Sequence, residues 1–507
     1  MTALANANSG IVYLVGAGPG HPGLITLRGV ECLRRADVVL FDSLVNPSIL
    51  RHASATAELI CVGKHGRSRI WSQDEINQRL VELASLGRTV VRLKGGDPAI
   101  FARGAEETET LVRHGIRFEI VPGITAALAA GSYAGIPITH REIASAVALV
   151  TGHEDAEKEE SSLDYGALAN FPGTLIFYMG VTTAAKWSGA LIAAGKSPNT
   201  PAAIVRRCSF PDQVMLQCTL AEVAERLSPA AKIRPPVLVI VGEVVKLAET
   251  LAWFDKRPLF GVSVLVTRPL EQADALCDPL LELGADVAVQ PAITIREPAK
   301  GAAVEAILPR LSEFDWLVFS SANGVRFLLD RLLASGRDLR ALGNLKLAAI
   351  GPGTSDALRA YHLNADLQPD EYRAEALAES LGKQAAGKKI LLARASRGRE
   401  ILAEELQKAG AHVEQVVVYE SIDVTQPDDE IAARLRSGKI DWVTVTSSAI
   451  ARSLVQLFGD ALRQTRLVSI SPITTATLQD LGLTVAAEAQ EYTMPGIVAA
   501  ILKAEEN

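Results

Sequence analysis

Three strings in the second half of this 507-residue chain recur in the same order. Gly261-Val-Ser-Val-Leu-Val-Thr-Arg268 returns 126 residues later as Gly387-Lys-Lys-Ile-Leu-Leu-Ala-Arg394. Asp315-Trp316, followed by Ser320-Ser321, returns as Asp441-Trp442, followed by Thr446-Ser447. Leu347-Ala-Ala-Ile-Gly-Pro352 returns as Leu467-Val-Ser-Ile-Ser-Pro472. One match is within reach of chance; three in register mark a duplicated unit. Each copy alternates buried strands with helices, so the second half reads as two related α/β lobes with a ligand cleft expected between them.

The first 250 residues carry the same alternation without the repeat. Ile11–Val15, Val38–Phe41, Thr89–Leu93 and Phe118–Val121 read as buried strands, with helices over Trp71–Leu86 and Gly104–His114. A second series has strands near Ala146–Val150, Thr174–Tyr178, Ala202–Val205 and Val237–Val241. The polar run His153–Ser162 lies between the series and reads as a solvated loop. The lobes are expected at about 11–140 and 141–250. Trp253–Gly261 breaks the rhythm with a Pro and a Gly around a charged stretch, which places a domain boundary near residue 257.

Composition removes several classes of function. A net charge of −7 argues against a general nucleic-acid binder. No apolar stretch approaches the ~18 residues that span a bilayer. Met1–Gly10 has neither a basic nor an apolar segment of a signal peptide and reads as a flexible tail. The cysteines Cys32, Cys61, Cys208, Cys218 and Cys277 form no CxxC pair, which suits a reduced, cytoplasmic protein without disulfides or a bound metal.

Gly16-Ala-Gly18-Pro19-Gly20 follows a predicted strand and is either a ligand loop or a tight turn. A dinucleotide-binding turn needs a further glycine where this chain has His21, and Pro19 removes a backbone donor. A nicotinamide-dependent oxidoreductase is the rival that this loop alone suggests. Arg92-Leu-Lys-Gly-Gly-Asp97-Pro98 ends another strand, at the sheet edge where α/β proteins bind ligands. Asp97 there either accepts hydrogen bonds from a ligand or closes an Asx turn. Val121-Pro-Gly-Ile-Thr125-Ala126-Ala127 has the same placement, and the three loops are expected to converge on one pocket. Lys64, His65, Arg67 and Arg69 form one basic cluster and Arg92 with Lys94 another; each is either a solvated face or a means of steering an anion. In the second half Ser320-Ser321, Thr354-Ser355, Thr446-Ser447-Ser448 and Thr474-Thr475 read as helix N-caps. Several such N-termini around one cleft would suit a polycarboxylate.

Taken together, Val15–Gly20, Leu93–Pro98 and Pro122–Ala127, with Gly135–His140, Phe177–Gly180 and Val241–Val245, resemble the tetrapyrrole methylases over roughly residues 10–257. Within them the chain is most similar to the uroporphyrinogen-III C-methyltransferases. The resemblance implies S-adenosylmethionine as methyl donor, a homodimer, and two methylations yielding precorrin-2. It assigns Pro19, Gly95, Gly96, Asp97, Ile100, Thr125, Ala126, Met179 and Cys208 to the cofactor pocket, with Cys208 standing where the family usually has glycine. Ala102, in Phe-Ala-Arg-Gly, likewise replaces a usual glycine. Asp42 matches the family's proton acceptor and Lys64 its proton donor; the residues by themselves read as a strand-end turn and a solvated charge.

Val264–Pro269, Phe319–Gly324 and Val417–Glu420 resemble the uroporphyrinogen-III synthases over roughly 261–507. This second resemblance implies closure of hydroxymethylbilane with inversion of ring D. Tyr419 matches a tyrosine thought to help the hydroxyl leave, and as a residue is equally an aromatic on a strand. The resemblance also implies that the first βα unit packs with the last third of the chain, giving lobes at about 261–292 plus 421–507 and at 293–420, with segments near Pro291–Pro298 and Val416–Ile422 connecting the two. The combined expectation is a bifunctional enzyme acting on small-molecule tetrapyrroles; the alternative is a methyltransferase with a non-catalytic, tetrapyrrole-sensing C-terminal module.

Overall fold

The structure, a computed structural model, describes residues 10–63, 71–153, 162–298, 302–397 and 400–506. Among them are four five-stranded sheets in an α/β arrangement. The first contains β1 (Ile11–Gly16), β2 (Val38–Phe41), β3 (Glu58–Cys61), β4 (Thr89–Lys94) and β5 (Arg117–Val121), all parallel, in the order β3-β2-β4-β1-β5. A parallel sheet covered on both faces needs nearly unbroken apolar strands. Val12, Leu14, Val38, Leu40, Val90 and Val91 accordingly have no exposed surface. The helix Gln73–Ser85 begins with a capping box between Ser72 and Glu75, each end satisfying an amide that the helix leaves open.

The second sheet contains β6 (Val147–Thr151), β7 (Thr174–Tyr178), β8 (Pro201–Arg206), β9 (Val214–Thr219) and β10 (Val237–Val241) in the mixed order β6-β7-β10-β8-β9. After β10 the chain does not pass into a solvated linker. Phe254 is fully buried, edge-on to Tyr133 at 4.6 Å and to Phe260 at 5.5 Å between ring centres. Trp253 Nε1 donates to the Ser132 carbonyl at 2.9 Å. The aromatic residues of Trp253–Gly261 are therefore an anchor, with Arg257 lying 3.9 Å over the Phe254 ring.

The remaining strands are β11 (Ser263–Val266), β12 (Asp286–Val289), β13 (Ile293–Arg296), β14 (Trp316–Phe319), β15 (Lys346–Ala349), β16 (Lys389–Ala395), β17 (His412–Asp423), β18 (Trp442–Val445), β19 (Arg466–Ser469) and β20 (Ala487–Glu488). They form the sheets β12-β11-β18-β19-β20 and β13-β17-β16-β14-β15. The repeated strands thus exchange places. β11, from the first copy, joins β18 and β19 from the second, while β16, from the second, joins β14 and β15 from the first. The segments around 291–298 and 416–422 pair with each other, β13 antiparallel to β17 from Ile293↔Asp423 to Arg296↔Glu420. By packing density the chain divides into two compact units, Met1–Val264 with Pro279–Ala288 and Leu265–Asp278 with Val289–Asn507.

The repeated serines cap as expected in two places. Ser321 Oγ accepts from Gly324 N at 3.0 Å and Ser447 Oγ from Ile450 N at 3.2 Å. The other two runs depart from expectation. Thr354-Ser355 and Thr474-Thr475 lie inside the helices Pro352–Ala360 and Pro472–Asp480, whose N-caps are Gly351 and Ser471. Pro352 and Pro472 are the reason, because proline is preorganised for the first helical position and starts each helix earlier. Replacing Ser447 by Ala is expected to cost about 1 kcal/mol and to speed hydrogen exchange of the Ile450 amide in the full chain. Unchanged exchange at that amide would contradict the cap.

Candidate active site

β1 and β4 are neighbours and run parallel, so the loops leaving their carboxyl ends emerge side by side. Gly18 and Gly96 exchange backbone hydrogen bonds, 3.2 Å in one direction and 2.8 Å in the other. The third loop, after β5, closes on the same point. A Cβ on Gly123 would stand 2.3 Å from the Gly96 carbonyl oxygen and 2.7 Å from Gly16 Cα. One on Gly16 would stand 2.5 Å from Gly123 N. Atoms do not approach that closely without bonding, so Gly16 and Gly123 admit no side chain; Gly96 has room for a Cβ, but its φ of +70° is one where glycine carries no penalty. Asp97 ties the junction, its carboxylate accepting from Ala99 N at 2.7 Å and from Gly123 N at 2.9 Å. The Asx-turn geometry is present, extended into a strut between loops.

The second lobe meets this junction at the helix Ala126–Tyr133. Tyr178, the last residue of β7, places its hydroxyl 2.7 Å from Thr125 Oγ1 and accepts from Ala127 N at 2.9 Å. Burial raises its pKa, which keeps a neutral phenol there. Cys208 Sγ lies 3.7 Å from the Ala126 carbonyl, and burial pushes the thiol up to about 12. Gly20 is packed so that a Cβ would meet the Phe210 ring at 2.3 Å, and His21 N donates to Ser209 Oγ at 3.0 Å. Phe101, Arg103, Met179, Arg207 and Ser209 all have φ between +49° and +64°. Residues with side chains rarely adopt that conformation, and strain of this kind concentrates at functional sites. Pro19, Gly95, Gly96, Asp97, Thr125, Ala126 and Cys208 therefore belong to one set of interlocked loops. Met179 follows Tyr178 with its side chain largely exposed, and Ile100 N closes a turn onto the Asp97 carbonyl at 3.2 Å. Tyr178 went unassigned in the sequence; its only signal was its place at a strand end beside Met179.

Asp42 stands at the carboxyl end of β2, its side chain 29% exposed. Its Oδ1 is 2.5 Å from Arg92 Nη2. Arg92 and Lys94 are not a solvated basic cluster: both lie on the central strand β4, point to one face and are buried. Their partner is Glu107 on the helix Gly104–Arg113, which has no exposed surface. One oxygen of Glu107 accepts from Arg92 Nε at 3.1 Å, Lys94 Nζ at 2.7 Å and Gln73 Nε2 at 3.2 Å, while its Oε2 is buried without a partner among the described residues. Burial opposes the Arg92 cation, yet Asp42 and Glu107 outweigh it and raise its pKa. Burial, helped by Arg92, lowers that of Lys94. Two cations and two carboxylates balance, and Asp42 is the end of this chain that reaches solvent. Lys64, with His65, Arg67 and Arg69, lies outside the described residues.

In the second unit Tyr419 is 7% exposed. Its hydroxyl is 3.0 Å from Ser321 Oγ, and its ring stacks on Phe327 at 5.7 Å. Burial raises its pKa as well. Among the described residues no cluster of three or more His, Cys, Asp or Glu is placed to hold a metal, and no helix is long and apolar enough to cross a membrane.

Comparison with known proteins finds two families along the chain. Residues 11–224 match the family model of the tetrapyrrole (corrin/porphyrin) methylases and residues 274–499 that of uroporphyrinogen-III synthase HemD. The chain is 34% identical to the porphyrin biosynthesis protein HemD of Ruminiclostridium josui, over 97% of this chain and 95% of that protein. It is 39% identical to the uroporphyrinogen-III C-methyltransferase of Bacillus subtilis, over 71% of this chain and 74% of that one. Over 48% of its length it is 47% identical to the S-adenosyl-L-methionine-dependent uroporphyrinogen III methyltransferase of Methanosarcina barkeri, covering 96% of it.

Removing the charge of Glu107 would leave two buried cations facing Asp42 alone. Glu107→Gln is expected to destabilise the first unit by about 3–5 kcal/mol, read as faster hydrogen exchange of the β4 amides Val90–Leu93 in the full chain. A change below about 1 kcal/mol, the range of surface ion pairs, would contradict the network.

Proposed function

The chain belongs to the tetrapyrrole methylases through its first half and to the uroporphyrinogen-III synthases through its second, and from that premise we propose a bifunctional enzyme of tetrapyrrole biosynthesis divided near residue 257. The second half closes hydroxymethylbilane to uroporphyrinogen III, with ring D inverted. The first half adds two methyl groups from S-adenosylmethionine, at C2 and C7, and forms precorrin-2, a precursor for siroheme or corrinoids. The observation that carries this reading is the junction of three glycine loops with Asp42 at the neighbouring strand end.

When bound, S-adenosylmethionine supplies a methyl group on a cationic sulfur, open to attack by an electron-rich ring carbon. Pro19, Gly95, Gly96, Asp97, Ile100, Thr125, Ala126, Met179 and Cys208 are the residues proposed to hold it. Absent side chains at Gly95 and Gly96 let a ligand approach the backbone, and the neutral Cys208 thiol brings no competing negative charge. Holding two reactants in line is a large part of the acceleration available to a methyl transfer. Asp42 takes up the proton that the methylated ring must lose, its carboxylate oriented by Arg92, and Lys64 is proposed as the proton donor. Proton transfer by a positioned group contributes roughly 10²–10⁴-fold.

For ring closure the hydroxyl of the linear tetrapyrrole departs as Tyr419 assists, with Ser321 fixing the phenol. The homodimer belongs to the same proposal. Phe118 and Ile120 on edge strand β5, and Val214 and Leu216 on edge strand β9, are exposed apolar side chains that a partner would cover. Five free cysteines support a cytoplasmic location.

Given uroporphyrinogen III and methyl-labelled S-adenosylmethionine, the full chain is expected to place two labels on each macrocycle. Asp42→Asn is expected to lower kcat by about 10²–10⁴-fold while calorimetric affinity for S-adenosylhomocysteine stays unchanged. Labelling absent from the native chain would sink the methylase reading; full activity in the variant would remove Asp42 as proton acceptor.

A further inference from the structure

Arg268 and Arg394 are the same position in the two copies of the repeat, each at the carboxyl end of a first strand, yet their surroundings differ. Arg394 is neutralised: Nη1 meets Glu400 and also donates to Gln415 Oε1 at 2.6 Å, and Nε donates to the Ala395 carbonyl at 3.2 Å. Arg268 faces no carboxylate among the described residues. Its side-chain partner is the neutral Gln272, whose Oε1 accepts from Nη2 at 2.9 Å. Arg268 is half-buried, and burial alone pulls its pKa down. A guanidinium has five N–H donors in a planar fork. Partly desolvated and without a counter-charge, it is unfavourably placed unless an anion arrives from outside. The anion that fits the fork with two parallel hydrogen bonds is a carboxylate or a phosphate.

What lies beside Arg268 sets where such an anion would sit. Gln272 Nε2 donates to Asn323 Oδ1 at 2.6 Å. Asn323 lies in the first turn of the helix Ala322–Ala334, whose cap is Ser321, and the Ser321 hydroxyl is 3.0 Å from that of Tyr419. Arg268, Gln272 and Asn323 thus lead to the helix start at which Ser321 meets Tyr419. The strand end at Arg268 is held from behind by two fully buried threonines. Thr267 Oγ1 donates to the Thr444 carbonyl at 2.5 Å and Thr444 Oγ1 to the Leu265 carbonyl at 3.3 Å.

We propose that Arg268 is the anchor for one substrate carboxylate in the second unit, held by Gln272 and Asn323 so that the acid-bearing ring is set beside Tyr419. The identity of the ligand, a linear tetrapyrrole polycarboxylate, rests on the ring-closure reading above. Arg394 has the same chemistry in the other lobe and is already paired, so it makes no such anchor.

The test is the KM for hydroxymethylbilane in ring closure by the full chain. Arg268→Met is expected to raise it roughly ten- to hundredfold, the loss of one charge-assisted pair, with kcat changed far less. Arg268→Lys recovers part of the loss, and Arg394→Gln stays near the native KM. A near-native kcat for ring closure by Arg268→Met shows that the second unit of the variant is folded. An unchanged KM in Arg268→Met overturns the anchor. Should the native chain yield no type III isomer, the ring-closure reading falls, and titration with uroporphyrin III, an octacarboxylate, decides the anchor instead. A salt-sensitive binding step lost in Arg268→Met supports it; identical isotherms overturn it.

Discussion

Neither Gly16 nor Gly123 admits a side chain where their backbones meet that of Gly96, and the arrangement of loops in the first unit depends on that closeness. The parallel pairing of β1 with β4 brings two of the loops together, and Asp97 fastens the third. With the three locked, the helix that starts after Thr125 has a fixed origin, and Tyr178 of the second sheet finds both Thr125 Oγ1 and the Ala127 amide. Two left-handed residues adjoin the same loops, Phe101 beside the Tyr178 ring and Ser209 accepting from His21 N. Each such conformation costs on the order of 1 kcal/mol or more and persists only where the packing around it leaves no alternative. Rigid loops of this kind keep a ligand-binding surface in place before the ligand arrives.

A second constraint is electrostatic. Burying Arg92 and Lys94 is tolerable because Glu107 and Asp42 balance them within hydrogen-bond distance. That arrangement gives Asp42 an orientation a lone surface carboxylate lacks, and it places the solvent-facing end of the network at a strand terminus, the edge of an α/β sheet where ligands bind.

The strands of the first sheet's centre were legible because a strand buried on both faces must be a run of Val, Leu and Ile. β3 and β9 were not, because their exposed, partly polar sequences break that pattern; the edge strand β5 was read, but as buried, whereas its edge position leaves Phe118 and Ile120 exposed. The glycine loops were legible as a set, because strand ends followed by glycine recur three times. The charge network was not: Arg92 and Lys94 look like a basic cluster until the strand order puts β4 between β2 and β1, and Glu107 is one acid among many on its helix. Thr354 and Thr474 were misplaced as caps because the preceding prolines set the helix starts. Phe254 and Phe260 looked like part of a linker because their contacts come from Tyr133, far away in sequence. The caps failed for a local reason, the adjacent prolines; the charge network and the aromatic anchor depend on long-range contacts.

The second half shows what the repeat does and does not determine. It foretold two similar lobes; the exchange of β11 and β16 between copies was expected from the family resemblance alone, and β13 and β17 pair antiparallel where the chain passes between the lobes. This pairing joins the segment leaving one lobe to the segment entering it again. Two similar lobes with dissimilar arginines then allow a ligand site that is not itself symmetric. The product proposed for this half is the substrate proposed for the other, which gives their fusion in one chain a chemical sense. The most direct measurement is anaerobic incubation of the pure chain with hydroxymethylbilane, with and without S-adenosylmethionine, followed by mass spectrometry and isomer analysis. The account predicts the type III isomer without the methyl donor and its dimethylated derivative with it. Type I isomer alone, unmethylated under both conditions, would contradict it.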